Sequence, residues 1–203
     1  MSSSTDDWQM HSSLCVHGSF LSCMEYDSVY ELLWCGYQDG RLTAYNVQAN
    51  RPLTIYSSSK LNSALVSLIM LDRQVVCICE NAVAVFTVGG LRRSYTPLKD
   101  LCSSGTKSTD NVPEVTTLTC GCSMNDNHLT GKLYNFLNMS ATRIMIGTSS
   151  SCVLVVEVSH DSVIKPLVQY NIDSSSNFKV TEALSCQKNC IISATNGKLY
   201  VLD

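Results

Sequence analysis

Charge is scarce in this 203-residue chain: only 15% of its residues are Asp, Glu, Lys or Arg, and the formal net charge is −3. No block of Lys or Arg occurs, and a nucleic-acid surface normally needs a basic stripe, so nucleic acid is disfavoured as a partner. No apolar run approaches the roughly 20 residues of a bilayer span, so no membrane span is expected. The start, Met1-Ser2-Ser3-Ser4-Thr5-Asp6-Asp7, carries two acids and lacks the basic and apolar regions of a signal peptide. Gly-x-Gly-x-x-Gly, a Walker-type lysine motif, a kinase catalytic loop and a Gly-x-Ser-x-Gly elbow are all missing, which leaves no catalytic or cofactor-binding residue to name. No stretch of a dozen residues shows a 3.6-residue apolar period; the nearest, Leu61 to Leu71, has the Val and Ile content of a strand.

What is abundant is short apolar runs, within a 45% hydrophobic composition that suits a folded β-rich domain. The organising stretch is Leu32 to Val47, two short strands around Asp39-Gly40. Asp-Gly between apolar runs signals a hairpin, and a two-residue type I′ turn asks for positive φ at both positions. Phe20 to Tyr26 reads as a strand before it and Leu53 to Tyr56 as one after it. The same grammar returns in Ala64–Leu71, Gln74–Cys79 and Ala82–Val88, with Ser94 to Pro97 as an outer edge strand. It returns again in Val115–Cys120, Thr142–Gly147, Cys152–Val158 and Val163–Tyr170, and a last time in Val180–Cys186, Ile191–Ala194 and Lys198–Leu202 around an Asn196-Gly197 turn. Third-strand positions recur about every 40 to 45 residues, once stretched by inserted loops, which is the mark of four-stranded propeller blades. Trp34, Phe86, Ile146 and Leu199 are expected in the core.

Eleven cysteines need an explanation. The count is odd and no export signal is visible, which argues against a disulfide framework. Cys77 and Cys79, like Cys120 and Cys122, alternate along strands; they share a face there and act as small apolar residues. Reduced structural thiols place the chain in the cytoplasm. A zinc site would have to combine Cys15, His17 and Cys23 with His11, and ordinary strand and loop roles explain these residues better. The His160-Asp161 pair, a catalytic fragment on paper, reads as a solvated turn; Asp39-Gly40-Arg41 lacks the further acids of a calcium loop. The sequon at Asn138-Met139-Ser140 carries no meaning in a cytosolic chain.

The pattern Trp34-Cys35-Gly36-Tyr37-Gln38-Asp39-Gly40-Arg41-Leu42, echoed by Ile146-Gly147-Thr148 and by Ala194 to Val201, resembles the divergent WD-repeat-like β-propellers. Such propellers stand at the C-terminal ends of JNK-interacting scaffold proteins, a subgroup of Rho guanine nucleotide exchange factors, DENN-domain exchange factors and leucine-rich-repeat Roco kinases. The usual Gly-His and Trp-Asp pairs are missing; Tyr45-Asn46, Phe86-Thr87 and Val156-Glu157 stand at the third-strand ends. The resemblance implies an all-β, WD-repeat-like β-propeller of about four four-stranded blades, a fragment of a larger ring. Residues 1–13 form a disordered or short terminal strand, and 14–203 the partial propeller. Its blades span about 14–57, 62–98, 114–171 (with loop insertions at 99–113 and 121–140) and an incomplete 178–203. The implied function is a non-enzymatic protein–protein interaction module of a cytosolic scaffold or signalling protein. The alternative is the regulatory propeller of an exchange factor or Roco-type kinase whose catalytic domain lies elsewhere. Tyr37, Gln38 and Arg41 flank the rim hairpin, with Tyr37 and Arg41 outward and Leu42 inward. Arg92 and Arg93 carry the densest basic charge, beside hydroxyls suited to phosphorylation. These five are the candidate partner-binding residues, and Asp39, Gly40, Asn196 and Gly197 the structural turns. Partners are other proteins, and unpaired strand edges favour self-association.

Overall fold

Near-continuous apolar runs of five to eight residues cannot be covered by a single neighbour, so their strands must be sandwiched between two others. A computed structural model describes residues 19–46, 51–53, 61–103, 115–124, 141–173, 177–186 and 189–202, and these form antiparallel sheets that follow one another in chain order. Unit 1 runs β1 (Leu21–Asp27), β2 (Leu32–Tyr37), β3 (Leu42–Asn46) and β4 (Arg51–Leu53). Unit 2 runs β5 (Leu65–Leu71), β6 (Gln74–Cys79), β7 (Ala82–Thr87) and β8 (Arg92–Pro97), followed by a short helix α1 (Leu98–Ser103). Unit 3 contains β9 (Leu118–Met124), β10 (Thr142–Thr148), β11 (Cys152–Val158) and β12 (Ile164–Asn171). Unit 4 contains β13 (Val180–Cys186), β14 (Asn189–Ala194) and β15 (Leu199–Leu202). Each strand pairs with its sequence neighbour, so every sheet is a meander.

The sheets pack face to face, and their first strands sit side by side: β1 on β5, β5 on β9, β9 on β13. This is the radial arrangement of propeller blades, with the first strands nearest the axis. Three apolar clusters fill the three gaps. Trp34, Leu42 and Ala44 of unit 1 meet Leu65, Cys77 and Phe86 of unit 2. Ile69, Val76 and Val85 on the other side of unit 2 meet Leu118, Ile144, Ile146 and Val156 of unit 3. Cys120, Met145 and Val153 then meet Val180, Ala183 and Ile192 of unit 4. The strand period of two explains the division: on β6, Val75, Cys77 and Cys79 face unit 1, while Val76 and Ile78 face unit 3. All six residues of β6 are buried.

Every first strand begins with the same irregularity. Register shifts fall between Leu21 and Cys23, between Leu65 and Ser67, opposite Gly147 and Thr148 on β9, and between Val180 and Glu182. A bulge of this kind leaves one residue unpaired and turns its side chain aside; here these are Ser22, Val66, Thr119 and Thr181. A second repeat links the units. The backbone N–H groups of Gln38, Glu80, Ser149 and Thr195 donate to the carbonyls of Phe20, Ala64, Thr117 and Lys179, each just ahead of its own unit's bulge. The carbonyls of Gly40 and Glu80 accept from Leu61 and Leu118 at the approach to the next unit, and Ser151 Oγ accepts from the Phe178 N–H ahead of unit 4. Glycines at the far ends of β2 and β10 leave room for the neighbour: a Cβ on Gly36 would meet Leu65, and one on Gly147 would come within 2.6 Å of Val180.

Four expectations are corrected. Residues 98–103 form α1 rather than loop, because Leu98 and Leu101, one turn apart, both insert into the cluster between units 2 and 3. Residues 121–124, expected within a loop insertion, extend β9, whose alternating Cys120, Cys122 and Met124 pack toward unit 4. The fourth strand of unit 1 already begins at Arg51, ahead of the expected Leu53, and residues 54–56 of that expectation lie outside the described residues. Leu199, expected in the core, is 71% exposed: on β15 it is Tyr200 and Leu202 that turn toward unit 3, so the intervening Leu199 and Val201 turn away. Trp34, Phe86 and Ile146 are fully buried. The expectations for residues 1–13, 104–113 and 125–140 lie outside the described residues.

Trp34 anchors the first gap, yet its indole N–H has no hydrogen-bond partner among the described residues. Trp34→Ala should lower stability by about 3–5 kcal/mol. Trp34→Phe should cost distinctly less, since it keeps most of the volume and removes an unpaired buried donor. Equilibrium urea unfolding of both variants checks the order.

Candidate functional site

The hairpin at residues 37–41 is held by its own backbone. The Tyr37 N–H donates to the Arg41 carbonyl at 3.0 Å, and the Gly40 N–H to the Tyr37 carbonyl at 3.1 Å. Only Gly40 has positive φ, at 81°, so the connection has three residues, a type I turn closed by a left-handed glycine, rather than the two-residue turn expected. Asn196-Gly197 forms a turn of the same three-residue kind, with φ of 76° at Gly197 alone. The loops at Gly90 (φ 83°) and Ser162 (φ 65°) share the hydrogen-bond pattern. Asp39 and Asn196 play one part: each side-chain oxygen accepts from the backbone N–H two residues on, that of Arg41 or of Lys198, at 3.1 Å. Asp39 also holds the Arg41 guanidinium at 3.1 Å, and Ser19 Oγ accepts from its backbone N–H.

This geometry redistributes the candidate residues. Tyr37, expected to project outward, is only 3% exposed; it shares a face with Leu33 and Cys35 and packs with Tyr45, its hydroxyl accepting from Thr43. Strand parity compels this, because the opposite face, with Trp34 and Gly36, belongs to the gap with unit 2. Leu42 turns inward as expected. Arg41 is half-buried and Gln38 exposed. Gln38 stands over an open depression of about 510 Å³ whose walls include Ser22, Ala64, Val66, Glu80 and Thr119, drawn from three units. Ser22, Val66 and Thr119 are the bulged residues, so the irregularity that starts each of these first strands aims one side chain into a common axial mouth. Sequence reading named Gln38 but missed the others; no hydropathy pattern marks a bulge.

Arg92 and Arg93 lie apart, exposed on the outer strand β8, with the Arg92 guanidinium 5.7 Å from the Tyr95 ring centre. The Ser94 hydroxyl beside them is buried, with no partner among the described residues, and is out of a kinase's reach as it stands. His160 and Asp161 form an exposed turn, with 3.9 Å between Nδ1 and Oδ1. The His160 carbonyl accepts from Gln74 Nε2 of unit 2, which gives the turn a structural use. Of the zinc candidates, Cys23 packs in the gap between units 1 and 2, and His11, Cys15 and His17 lie outside the described residues.

Nine described cysteines are free thiols, and burial governs their chemistry. It pushes Cys23 up to about 11 and Cys79 and Cys122 up to about 12, and raises Cys77 well above the usual thiol value. Such groups are poor nucleophiles and poor metal ligands at neutral pH.

No family model and no curated protein matches the chain. Solved structures do. Over 97% of its length the chain is similar to 98% of the computationally designed Ika4 protein, with a TM-score of 0.64 and 15% identity. It is similar over 92% of its length to 47% of the WD40 domain of Neurospora crassa Pan2 (TM-score 0.62, 14% identity). It is likewise similar over 92% to 46% of the C-terminal WD40 domain of Sif2 (TM-score 0.59, 13% identity). The fold is that of a β-propeller, and the chain spans about half the length of the two WD40 domains.

Two outcomes follow from this geometry. Gly40→Ala should destabilise the chain more than Gly197→Ala. Both lose a left-handed glycine, at about 1–2 kcal/mol, but a Cβ at position 40 also runs into the Leu61 carbonyl, whereas position 197 faces open space; urea midpoints report the difference. Stability should also fall in alkali. The buried thiols stay neutral in the folded chain while those of the unfolded chain ionise near 9.0, so their contribution is whole below that pH and is lost as pH rises through the folded values. Urea midpoints in reducing buffer should decline as pH rises from about 9 toward 11, less steeply in Cys79→Ala/Cys122→Ala.

Proposed function

We propose that this chain is a protein–protein interaction module that makes and breaks no bonds itself, and that it serves a cytoplasmic scaffold or signalling protein. The observation that carries the reading is the axial mouth, drawn from three adjacent sheets. Gln38 and Glu80, on turns held by their backbone, offer free polar groups among the described residues, beside Val66 and the Ser22 and Thr119 hydroxyls, which donate to the Gly36 and Val180 carbonyls. A surface assembled in this way suits the backbone and polar side chains of a protein segment better than one small molecule. The resemblance to the propellers of JNK-interacting scaffolds supports a scaffold setting. The alternative setting is the regulatory propeller of a guanine nucleotide exchange factor or a Roco-type kinase, with catalysis on another domain. Self-association belongs to the same reading, because apolar residues stay exposed on the end units.

The test compares partner capture by wild type, Gln38→Ala/Arg41→Ala and Arg92→Ala/Arg93→Ala, with circular dichroism as the folding control. Loss of one anchoring side chain typically costs about 2 kcal/mol, roughly thirtyfold in affinity. Partners held at the mouth should disappear from the first variant and persist in the second. Equal capture by all three proteins would remove the mouth as the binding surface.

A further inference from the structure

Three of the four units present an equivalent cross-strand row to the unit that follows. In unit 1 the row is Glu25, Trp34 and Ala44, its β1 member exposed and charged; in unit 2 Ile69, Val76 and Val85 lie in register, and in unit 3 Cys122, Met145 and Val155 do. Most of these side chains are buried against the next sheet. In unit 4 the row is Leu184, Ile191 and Val201, by the same register. It is just as apolar, yet Leu184 is 57% and Val201 58% exposed. At the other end, Met24 and Tyr26 lie on the face of β1 turned away from unit 2, and they are 61% and 51% exposed. No packing between β13 and β1 comparable to that between the other first strands closes the circle. Among the described residues, the unit 4 row and the first-strand part of the unit 1 face are thus left exposed, one of each kind.

We propose that two copies of this chain close a single ring, the unit 4 face of each seated on the unit 1 face of the other. The inference rests on reading each sheet as a propeller blade, and it extends the self-association named above to a stoichiometry and a pair of surfaces. What covers a row of this type elsewhere in the molecule is always another sheet of the same build, so the missing cover is a sheet and not a helix or a loose peptide. The chain supplies such a sheet in unit 1. Two copies together match one length of the WD40 domains, of which the chain accounts for 47% and 46%, although it spans 98% of Ika4. The contact is head to tail, and head-to-tail contacts give either a closed ring or an open filament. Closure at two requires four units to turn through half a circle. In unit 1 the outer part of the face, Cys35, Tyr37 and Tyr45, is already buried, so the new contact centres on the first strands, Leu184 of β13 against Met24 and Tyr26 of β1.

The experiment measures molar mass by light scattering during size exclusion at micromolar concentration. The wild-type chain should run at twice 22.3 kDa. Leu184→Asp/Val201→Asp and Met24→Asp/Tyr26→Asp alter only exposed positions, and each variant should run at the single mass with an unchanged β signal in circular dichroism. Mixing the two variants leaves one unit 1 face and one unit 4 face intact on different molecules. A double-mass species should reappear in the mixture alone. A wild-type monomer, a mass that climbs without limit as concentration rises, or a Met24/Tyr26 variant that still dimerises by itself would each overturn the proposal; the last would mean that like faces pair. Because this readout is mass, its failure is distinguishable from failure of the partner-binding reading, which is scored by capture at Gln38 and Arg41.

Discussion

The sheets of this chain are apolar on both faces, and that constraint shapes the rest. A strand such as β6, with every residue buried, has no side to turn to water, so a sheet built on it is stable only between two others. The hydrophobic gain is shared across gaps and does not sit within any one unit. The meander order, the first strands gathered at the axis and the glycines at Gly36 and Gly147 where the neighbouring sheet enters all serve this stacking. The links from the Gly40 and Glu80 carbonyls to the next unit, and from Ser151 Oγ to the Phe178 N–H ahead of unit 4, fix the stacking distance, because each acceptor gains this partner only when the neighbour is in place.

The functional surface follows from the same arrangement. Bulges at the start of the first strands turn Ser22, Val66 and Thr119 out of the ladder, and the turns that carry Gln38 and Glu80 are tied back to those strands by hydrogen bonds from their own N–H groups. The mouth is thus built from backbone irregularity on a rigid frame. The arginines at 92 and 93 have a plainer use as well: on an outer strand, charge discourages edge-to-edge pairing with another sheet.

Much of the fold was legible because strand grammar is local. Apolar runs, Asp39-Gly40 and Asn196-Gly197 located most of the strands, and alternation explained why Cys77 and Cys79 fall together. The site was less legible. Tyr37 looks like an interface anchor by residue type, but parity decides its face, and parity depends on register with a neighbouring sheet. Leu199 failed for the same reason. The Asp39-Gly40 hairpin kept its place but changed type, since two-residue and three-residue loops share the Asp-Gly signature and differ in which residue takes positive φ. The short helix at 98–103 escaped notice because six residues are too few to display a period.

The claim that each unit depends on its neighbours has a direct measurement in native-state amide hydrogen exchange, resolved by strand, on the chain diluted until its end faces are uncovered. Units 2 and 3 are enclosed on both sides, so the slowest amides should lie in β6, β7, β10 and β11, with β1 and β13 to β15 opening at lower free energy. Uniform protection across all the sheets, or the slowest exchange in β1 or β15, would show that the units are stable singly and would contradict the account.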